Sequence, residues 1–478
     1  MASTQLLDTA IALIQQHWVR VLVSLVLFLG TYSWARREFR APCTPSALFV
    51  PSTSTYPSRV YTARRKIPAQ QFIDDFLQGR IELRDAQSGC GMERIADVVS
   101  FRFDIVLAWR VLCAFLTTSH SKRRDRRNTE QFVLRNNSLL EEVLGPDRLP
   151  LVGYMRDGMP GQLEASLGIQ MERVGREYLD LGPEDRLLDI NAQWGDLAVY
   201  LAHDFQVPTC AVVATSSQLA HATNLTGESQ VQRFLRFVTG DYRAVPKCLS
   251  PGIPPFTKTI ALDVLDTIGP RNIPSFLRSV NESMVNGGRL LVQVTTTPSS
   301  IGYRPARQTD MWSQPSMTGA HGLSQLSASE QHDSRSTPTI SADNMPPALT
   351  HGRSDLDEDA QDLKLRGEEE WAEHWWYHWF RQNYIQPGAD TSMLTSIEQI
   401  MVELQRAGFE VLQLESLTTD AALTTAIWSN RLCASKRQIE TELGESTYRA
   451  WELYLNWTQS LYARARLHKH FILAVKRA

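Results

Sequence analysis

An alternation of strand-like and helical runs between residues 163 and 297 constrains the fold of this 478-residue chain more than any other feature. It begins with the apolar run "RLLDI", a sharp turn and the helical run "GDLAVYLAHDF". Four more strands are predicted at "TCAVVAT", "RFLRFVTGDY", "TKTIALDVL" and "RLLVQVTT". The helix before the last strand, "NIPSFLRSVNESMVNGG", is expected to end at its two glycines. Because parallel strands need crossover connections that helices supply, the order predicts an α/β fold with a Rossmann-like open sheet.

The turn after the first strand, "DINAQWGDLA" at residues 189–198, is typical of a nucleotide-cofactor site in which glycines have been replaced. Such folds have a glycine-rich turn here, because a backbone without Cβ atoms lets the cofactor approach closely. Asp189 and Gly195 fit that pattern, whereas Asn191 and Gln193 stand where glycines are expected. Asp189 is expected to support the cofactor turn or to cap the helix. A side chain at Gln193 either intrudes on the ligand or folds away and donates a hydrogen bond.

The segment 18–35, "WVRVLVSLVLFLGTYSWA", is apolar and is followed at once by "RREFR". It predicts a single-pass membrane anchor, with an interfacial helix as the alternative. The flanking arginines predict that the remainder of the chain faces the cytosol, with the endoplasmic reticulum as a candidate membrane. The predicted organisation is an anchor at 1–40, a linker at 41–66, a helical region at 67–162, a cofactor-binding core at 163–297, a disordered insertion at 298–366 and the C-terminal part of the same domain at 367–478.

Composition excludes several classes of function. The net charge of −3 gives no basic field for nucleic acid, and the run "SKRRDRR" at 121–127 is interpreted as a surface loop. Six cysteines without a CxxC pair indicate neither a zinc site nor a disulfide framework. His374 and His378 share a helix face within "WAEHWWYHWF", but no third ligand is visible, so no metal is predicted. That aromatic run suits an acyl-chain wall, a helix at the membrane interface or plain core packing.

Several motifs resemble the cyclopropane-fatty-acyl-phospholipid synthases and their fungal relatives, the sphingolipid C-methyltransferases. The resemblance covers roughly residues 130–297 and 370–478. It is carried by "LLDINAQWGDLAVYLA", "GDYR", "LDTIGPRNIPSFLRSV", "NGGRLLVQVT", "NYIQPGADTS", "AGFEVLQLESL" and "YRAWELYLN". It implies a Rossmann-like class I methyltransferase sheet, here with an N-terminal helical region and membrane anchor. It also implies S-adenosylmethionine as methyl donor and an unsaturated lipid as acceptor, through a carbocation that then loses a proton. In the synthases a bound bicarbonate is thought to take that proton.

Carried over by motif, the resemblance implies two groups of site residues. The cofactor-binding group is Asp189, Asn191, Gln193, Trp194, Gly195, Thr215, Gln218, Asp241 and Tyr242. The catalytic group is Asp266, Gln293 and Tyr454. Asp266 replaces a glutamate and would hold an anion-binding network, act directly as the base, or merely cap the next helix. Tyr454 falls on the tyrosine of the bicarbonate pocket, but Trp451 and Trp457 recur with it at helical spacing, which is also typical of core packing.

Other family positions are replaced, which leaves three hypotheses open. Phe132 and Val133 stand for a histidine and a tyrosine, Val152 for a cysteine, and "DA" at 420–421 for a histidine–tyrosine pair. The first hypothesis is a membrane-tethered C-methyltransferase acting on an unsaturated lipid or another long apolar substrate. The second is a catalytically impaired pseudoenzyme or scaffold of the same fold. The third is a methyltransferase of a small secondary metabolite.

Overall fold

The computed structural model describes residues 49–51, 66–83, 95, 99–101, 122–145, 148–155, 163–228, 231–248, 254–268, 272–298, 372–386 and 395–477. The chain divides into one unit, Met1–Ile301 with Glu368–Ala478, and a second, Gly302–Gly367, which lies outside those ranges. The membrane anchor predicted at 18–35 lies outside them too, as does the predicted insertion after residue 298. Within the described ranges, no helix has both the length and the apolar character needed to cross a bilayer.

The main structure is a seven-stranded sheet. Its strands are β1 (Leu187–Asp189), β2 (Thr209–Val213), β3 (Leu235–Thr239), β4 (Phe256–Leu262), β5 (Met284–Thr296), β6 (Phe409–Ser416) and β7 (His468–Lys476). Their order across the sheet is β6-β7-β5-β4-β1-β2-β3. Strands β1 to β5 run parallel, and β7 is antiparallel to both of its neighbours, β5 and β6. The order reverses between β1 and β4, which is the switch point where sheets of this class bind ligands.

Helices cover both faces of the sheet, and this explains the continuous apolar runs of its inner strands. They are α1 (Ala69–Leu77), α2 (Lys122–Leu144), α3 (Leu163–Arg173), α4 (Asp196–Asp204), α5 (Ser216–Glu228), α6 (Val245–Cys248), α7 (Ile273–Glu282), α8 (372–380), α9 (Ile397–Arg406), α10 (Thr418–Ala434), α11 (Lys436–Leu443) and α12 (Glu445–Ala463). π-Helical turns extend α3 over Val174–Leu179 and α8 over Arg381–Ile385. Neighbouring residues of β1 enter different cores: Leu187 joins the apolar cluster containing α12, and Leu188 the one containing α7.

The five strands predicted between residues 163 and 297 are confirmed as β1 to β5, but the helix before β5 ends earlier than predicted. It stops at Glu282, and the two glycines expected to end it lie inside β5. Gly287 has φ +78°, and a Cβ on Gly288 would lie 2.9 Å from the carbonyl oxygen of Thr257 on β4. The β4–β5 register shifts nearby, between Phe256 and Lys258. The glycines therefore serve an irregular, closely packed stretch of strand rather than a helix C-terminus.

In the N-terminal region the structure has secondary structure at three places where the sequence pattern indicated something else. Residues 122–127 of the predicted surface loop form the first turns of α2, since Lys and Arg are good helix formers and the helix is secured further on by buried Leu139 and Val143. Within the predicted helical region, Val99–Ser100 pairs with Ile67–Pro68 as parallel strands. Within the predicted linker, Phe49–Pro51 pairs antiparallel with Ile81–Leu83.

Helix α8 carries the aromatic run and packs against α12. Tyr377 stacks on Tyr454 with ring centroids 6.2 Å apart and meets Trp457 edge-on at 5.6 Å. Phe380 also contacts Trp457, at 6.0 Å. No residue from 372 to 380 is exposed. Of the three interpretations of this run, core packing describes Tyr377 and Phe380, the side chains that contact α12.

Candidate active site

The cofactor turn follows β1 and is hydrogen-bonded to the end of β4, the neighbouring strand at the switch point. Asp189 ends β1, is 1% exposed, and accepts a hydrogen bond from the Asn191 backbone amide at 3.1 Å. The Asn191 side-chain amide donates to the carbonyl oxygen of Leu262, the last residue of β4, at 2.9 Å. Burial raises the pKa of Asp189 to about 7, although the Asn191 amide opposes the shift. A cation bound beside this carboxyl would offset the cost of ionising it.

Two residues of the turn have left-handed backbone conformations. Gly195 has φ +98°, and a Cβ there would lie 2.8 Å from Cβ of Ala222 on α5, so no side chain fits. Gln193 has φ +52°, in the region that favours glycine. Its side chain is half-buried. The turn thus keeps a backbone conformation suited to glycine at a position where this chain has glutamine.

Trp194 anchors the turn to its surroundings. The indole is 3% exposed and meets the His221 ring edge-on, with centroids 5.6 Å apart. The Arg148 guanidinium lies over the same ring, 5.0 Å from its centroid. These contacts give Trp194 a role in holding the turn against α5.

Thr215 and Gln218 form a capping box at the start of α5. The Gln218 backbone amide donates to Thr215 Oγ1 at 3.2 Å, and the Thr215 backbone amide donates to Gln218 Oε1 at 3.2 Å. Such reciprocal bonds satisfy amides that the first turn of a helix leaves free. The structure therefore gives both predicted cofactor residues a local structural role at the end of β2.

Asp241 and Tyr242 follow β3, on the same edge of the sheet. The Asp241 carboxylate accepts from the Arg243 backbone amide at 2.9 Å and from Arg243 Nε at 3.0 Å. Tyr242 meets Phe276 edge-on at 5.7 Å. All nine predicted cofactor-binding residues thus lie at or just after the carboxyl ends of three adjacent strands, β1, β2 and β3.

A second group of polar side chains, the acceptor cluster, lies at the carboxyl ends of β4 and β5; it consists of Asp263, Asp266, Gln293, Thr295 and Lys469. Lys469 Nζ lies 2.5 Å from Asp263 Oδ1 and 3.5 Å from Asp266 Oδ2. Asp266 Oδ1 accepts from the Thr295 backbone amide at 2.9 Å. Gln293 Nε2 donates to Asp263 Oδ1 at 3.0 Å, while Gln293 Oε1 is buried and accepts no hydrogen bond from the described residues.

The charges in the acceptor cluster stabilise one another. Burial raises the pKa of Asp263, and Lys469 opposes that shift. Burial alone would lower the pKa of Lys469, but the Asp263 and Asp266 carboxylates raise it above its ordinary value. Lys469 therefore stays protonated although it is only 6% exposed.

Tyr454 lies on α12 and stacks on Tyr377 of α8, with ring centroids 6.2 Å apart. Burial tends to lower the pKa of Arg381, but Tyr454, Tyr377 and Asp266 together raise it above its ordinary value. Of the three predicted catalytic residues, Asp266 and Gln293 thus belong to the acceptor cluster. Tyr454 acts together with Asp266 in raising the pKa of Arg381.

Sequence reasoning missed Asp263, Lys469 and Arg381. Lys469 carried a usable signal, since it alternates with Phe471 and Leu473 on the buried face of β7. A lysine on an apolar strand face needs a carboxylate partner, and Asp263 stands three residues before a predicted catalytic residue. Arg381 gave no such signal, because the aromatic run before it is not specific for an active site.

Three of the replaced family positions, Val152, Asp420 and Ala421, are buried in two segments that hydrogen-bond to each other. Val152 and Ala421 are both buried. Asp420 Oδ1 accepts from the backbone amide of Met155 at 3.3 Å, and Thr424 Oγ1 accepts from that of Gly153 at 3.2 Å. These bonds tie the segment 148–155 to α10.

The two histidines of the aromatic run are neutral. His374 and His378 stack with ring centroids 6.4 Å apart. Burial lowers the pKa of His374 to about 4 and that of His378 well below its ordinary value. In the described ranges, no group of three or more His, Cys, Asp or Glu side chains is arranged to hold a metal ion.

Comparison with known proteins identifies the family. The family model described as mycolic acid cyclopropane synthetase matches residues 164–318 and 351–471. Sphingolipid C9-methyltransferase A of Emericella nidulans is 22% identical over 409 residues, which are 85% of this chain and 64% of that protein. Cyclopropane-fatty-acyl-phospholipid synthase of Escherichia coli K12 is 24% identical over 183 residues, 38% of this chain and 44% of that protein. The chain thus spans less than two thirds of the length of these curated relatives.

Solved structures share the fold. Mycolic acid cyclopropane synthase CmaA1, complexed with SAH and CTAB, has a TM-score of 0.51 and 17% identity, covering 73% of this chain and 98% of that one. Cyclopropane synthase MmaA2 from Mycobacterium tuberculosis has a TM-score of 0.52 and 15% identity, covering 75% and 99%. The class I methyltransferase sheet is therefore confirmed, and the family match extends over more than half of the chain. The chain belongs to the mycolic acid cyclopropane synthetase family.

Proposed function

We propose that this protein transfers the methyl group of S-adenosylmethionine to an unsaturated carbon of a lipid. One observation carries the proposal: the cofactor turn and the acceptor cluster are contiguous. Asn191 in the turn bonds the carbonyl oxygen of Leu262, and the next residue, Asp263, belongs to the acceptor cluster. A donor held at the turn would therefore lie beside these buried polar groups, at the edge where α/β enzymes bind ligands.

The residues present fit a cationic methyl donor. Asp189 is fully buried and ionises at a cost, which a positively charged ligand beside it would offset. S-Adenosylmethionine, when bound, supplies an electrophilic methyl group. The chain's own contribution is to hold the lipid alkene against that group, exclude water and accept a proton.

The lipid class follows from the relatives' names, which include sphingolipid C9-methyltransferases and a cyclopropane-fatty-acyl-phospholipid synthase. Unsaturated sphingolipids are the first acceptors to test and unsaturated phospholipids the second. We further propose that the apolar segment 18–35 tethers the protein to a membrane, with the methyltransferase unit facing the cytosol. A tether would deliver a water-insoluble alkene laterally from the bilayer.

A donor labelled with a fully deuterated methyl group tests the proposal. The full-length protein is incubated with labelled S-adenosylmethionine and vesicles of unsaturated sphingolipid, and the lipids are analysed by mass spectrometry. A methyl-branched product keeps all the deuterium of the methyl group, whereas a cyclopropane product loses one atom of it. No label in sphingolipid or in phospholipid would contradict the proposal.

One observation favours a catalytically impaired protein as the second candidate. Gln193 occupies a left-handed position of the cofactor turn with a half-buried side chain. If that side chain blocks the donor, the wild type makes no labelled product and Gln193→Gly restores it. Labelled product from the wild type would exclude this candidate.

A further inference from the structure

Helix α2 begins with a dense group of cationic residues that the proposed function leaves unexplained. Its first six residues, 122–127, are one lysine, four arginines and a single aspartate. The N-terminus of a helix is the positive end of its dipole, so cations in the first turns lower the stability of the helix. An anionic partner bound at this end would offset that cost.

The second half of α2 shows which side of the helix faces outward. Leu139 and Val143 are buried and secure the helix to the apolar cluster that also contains α12. Gln131, Leu134 and Arg135 are exposed, and the exposed fraction of Leu134 is 63%. The outward side of α2 therefore combines polar and cationic residues with a protruding apolar side chain.

The helical repeat continues this outward side to the start of the helix. With about 3.6 residues per turn, positions 123, 124 and 127 fall on the same side of α2 as positions 134 and 135. This side, the basic face, consists of Arg123, Arg124, Arg127, Leu134 and Arg135. It therefore has four arginines and one exposed leucine.

Acidic residues of α2 leave most of this charge uncompensated. Glu141 and Glu142 share the side of the basic face, but Glu141 is paired with Arg148. Both also lie about 20 Å or more along the helix from Arg127, which is about twice the Debye length at 0.1 M salt. Glu130 is half-buried at the border of the face and offsets one cation at most.

We infer that the basic face docks on an anionic lipid bilayer, with its arginines among the headgroups and Leu134 at the boundary of the acyl chains. A cationic helix face with an apolar side chain matches the chemistry of such a surface, and each cation near it contributes about fivefold in affinity. Nucleic acid, another polyanion, is disfavoured by the net charge of −3 on the whole chain. The inference concerns a surface distinct from the tether proposed at 18–35, and it does not depend on methyl transfer.

Titration of the full-length protein with lipid vesicles tests the inference, with the bound fraction measured by sedimentation. Vesicles of phosphatidylcholine alone are compared with vesicles that also contain about 30 mol% phosphatidylserine. The wild type is expected to bind the anionic vesicles about 100-fold more tightly, which is the contribution of three cations. High salt should remove most of this difference, because it screens charges at a surface.

A double variant assigns the effect to the basic face. Arg123→Gln with Arg127→Gln should weaken binding to anionic vesicles by about 25-fold and leave binding to neutral vesicles unchanged. The variant should fold, because glutamine is a good helix former and two cations leave the positive end of the helix. The matched control removes two exposed cations elsewhere, Arg406→Gln with Arg477→Gln, and should keep the wild-type preference.

A photo-crosslinking residue tests the contact even if the tether holds the chain on every vesicle. Leu134→p-benzoylphenylalanine is expected to form lipid adducts severalfold more often on anionic than on neutral vesicles, as measured by mass spectrometry. The matched position is Val402 on α9, whose exposed fraction is 42%. Val402→p-benzoylphenylalanine should form few adducts on either kind of vesicle.

Different results overturn different conclusions. Equal affinity for the two kinds of vesicle, together with equal adduct yields at position 134, overturns the inference. An equal loss of preference in the control pair also overturns it, because net charge rather than the basic face would then determine binding. Both results leave the proposed function standing, whereas a chain that prefers anionic vesicles but transfers no label overturns the proposed function and leaves the inference standing.

Discussion

At the residue scale, Gln193 is expected to limit how well the cofactor turn admits a methyl donor. Its left-handed backbone costs roughly 1 kcal/mol relative to glycine. A glycine there would also raise the conformational entropy of the unfolded chain, which lowers stability by a similar amount. Gln193→Gly is therefore expected to change the free energy of unfolding by less than about 1 kcal/mol. It should tighten donor binding by roughly 3- to 10-fold, because a half-buried side chain leaves the turn.

The chain offers a matched control for this prediction. Gln206 has the same φ of +52° but an exposed side chain beyond the end of α4. Gln206→Gly should change stability to a similar extent and leave the donor dissociation constant unaltered. Calorimetric titrations and denaturant unfolding of both variants check this, and weaker donor binding by Gln193→Gly would show that the side chain contributes to the site.

Asp189 predicts a pH dependence of donor binding. Its pKa is raised to about 7 in the free protein, so the protonated form stabilises the fold and that contribution is lost as pH rises through 7. A cationic donor favours the ionised form. Below about pH 7 the carboxyl must release a proton on binding, so affinity should fall by up to about tenfold per pH unit. Titrations at several pH values should show this slope in the wild type, and a flat profile in Asp189→Asn; equal slopes would contradict it.

At the element scale, the capping box at the start of α5 allows two roles for Thr215 and Gln218, namely capping the helix and contacting the donor directly. Thr215→Ala and Gln218→Ala should each lower the free energy of unfolding by about 1 kcal/mol, because each removes one of the reciprocal bonds. If capping is the main role of both, their donor affinities should fall by similar factors. A loss for Gln218→Ala more than about tenfold greater than for Thr215→Ala would instead indicate direct contact with the donor.

Sheet elements were the most predictable part of the molecule. Apolar runs covered by helices on both faces leave little choice of structure, and every predicted strand of the sheet forms. The errors occurred where local signals have two meanings. The pair Gly287–Gly288 is typical of a helix end but lies within β5, and the charged run at 122–127 suits either a loop or an exposed helix.

At the scale of the whole molecule, the site depends on pairings that no local pattern reveals. Lys469 stands 206 positions after Asp263 and reaches it because β7 inserts beside β5. The motif order predicted Asp266 and Gln293 as site residues, but not the lysine on β7, the other neighbour of β5. The apolar pattern predicted where the strands lie in the sequence but not that β7 pairs with β5, so it could not predict that Lys469 belongs to the acceptor cluster.

Whether the cofactor turn holds a methyl donor is tested most directly by a calorimetric titration of the full-length protein with S-adenosylmethionine, with Asp189→Ala as the comparison. The wild type is expected to bind saturably, with an affinity at least about tenfold weaker for the variant, since the buried carboxylate beside the turn is lost. Absence of binding by the wild type and by Gln193→Gly alike would contradict the claim that this turn holds a methyl donor.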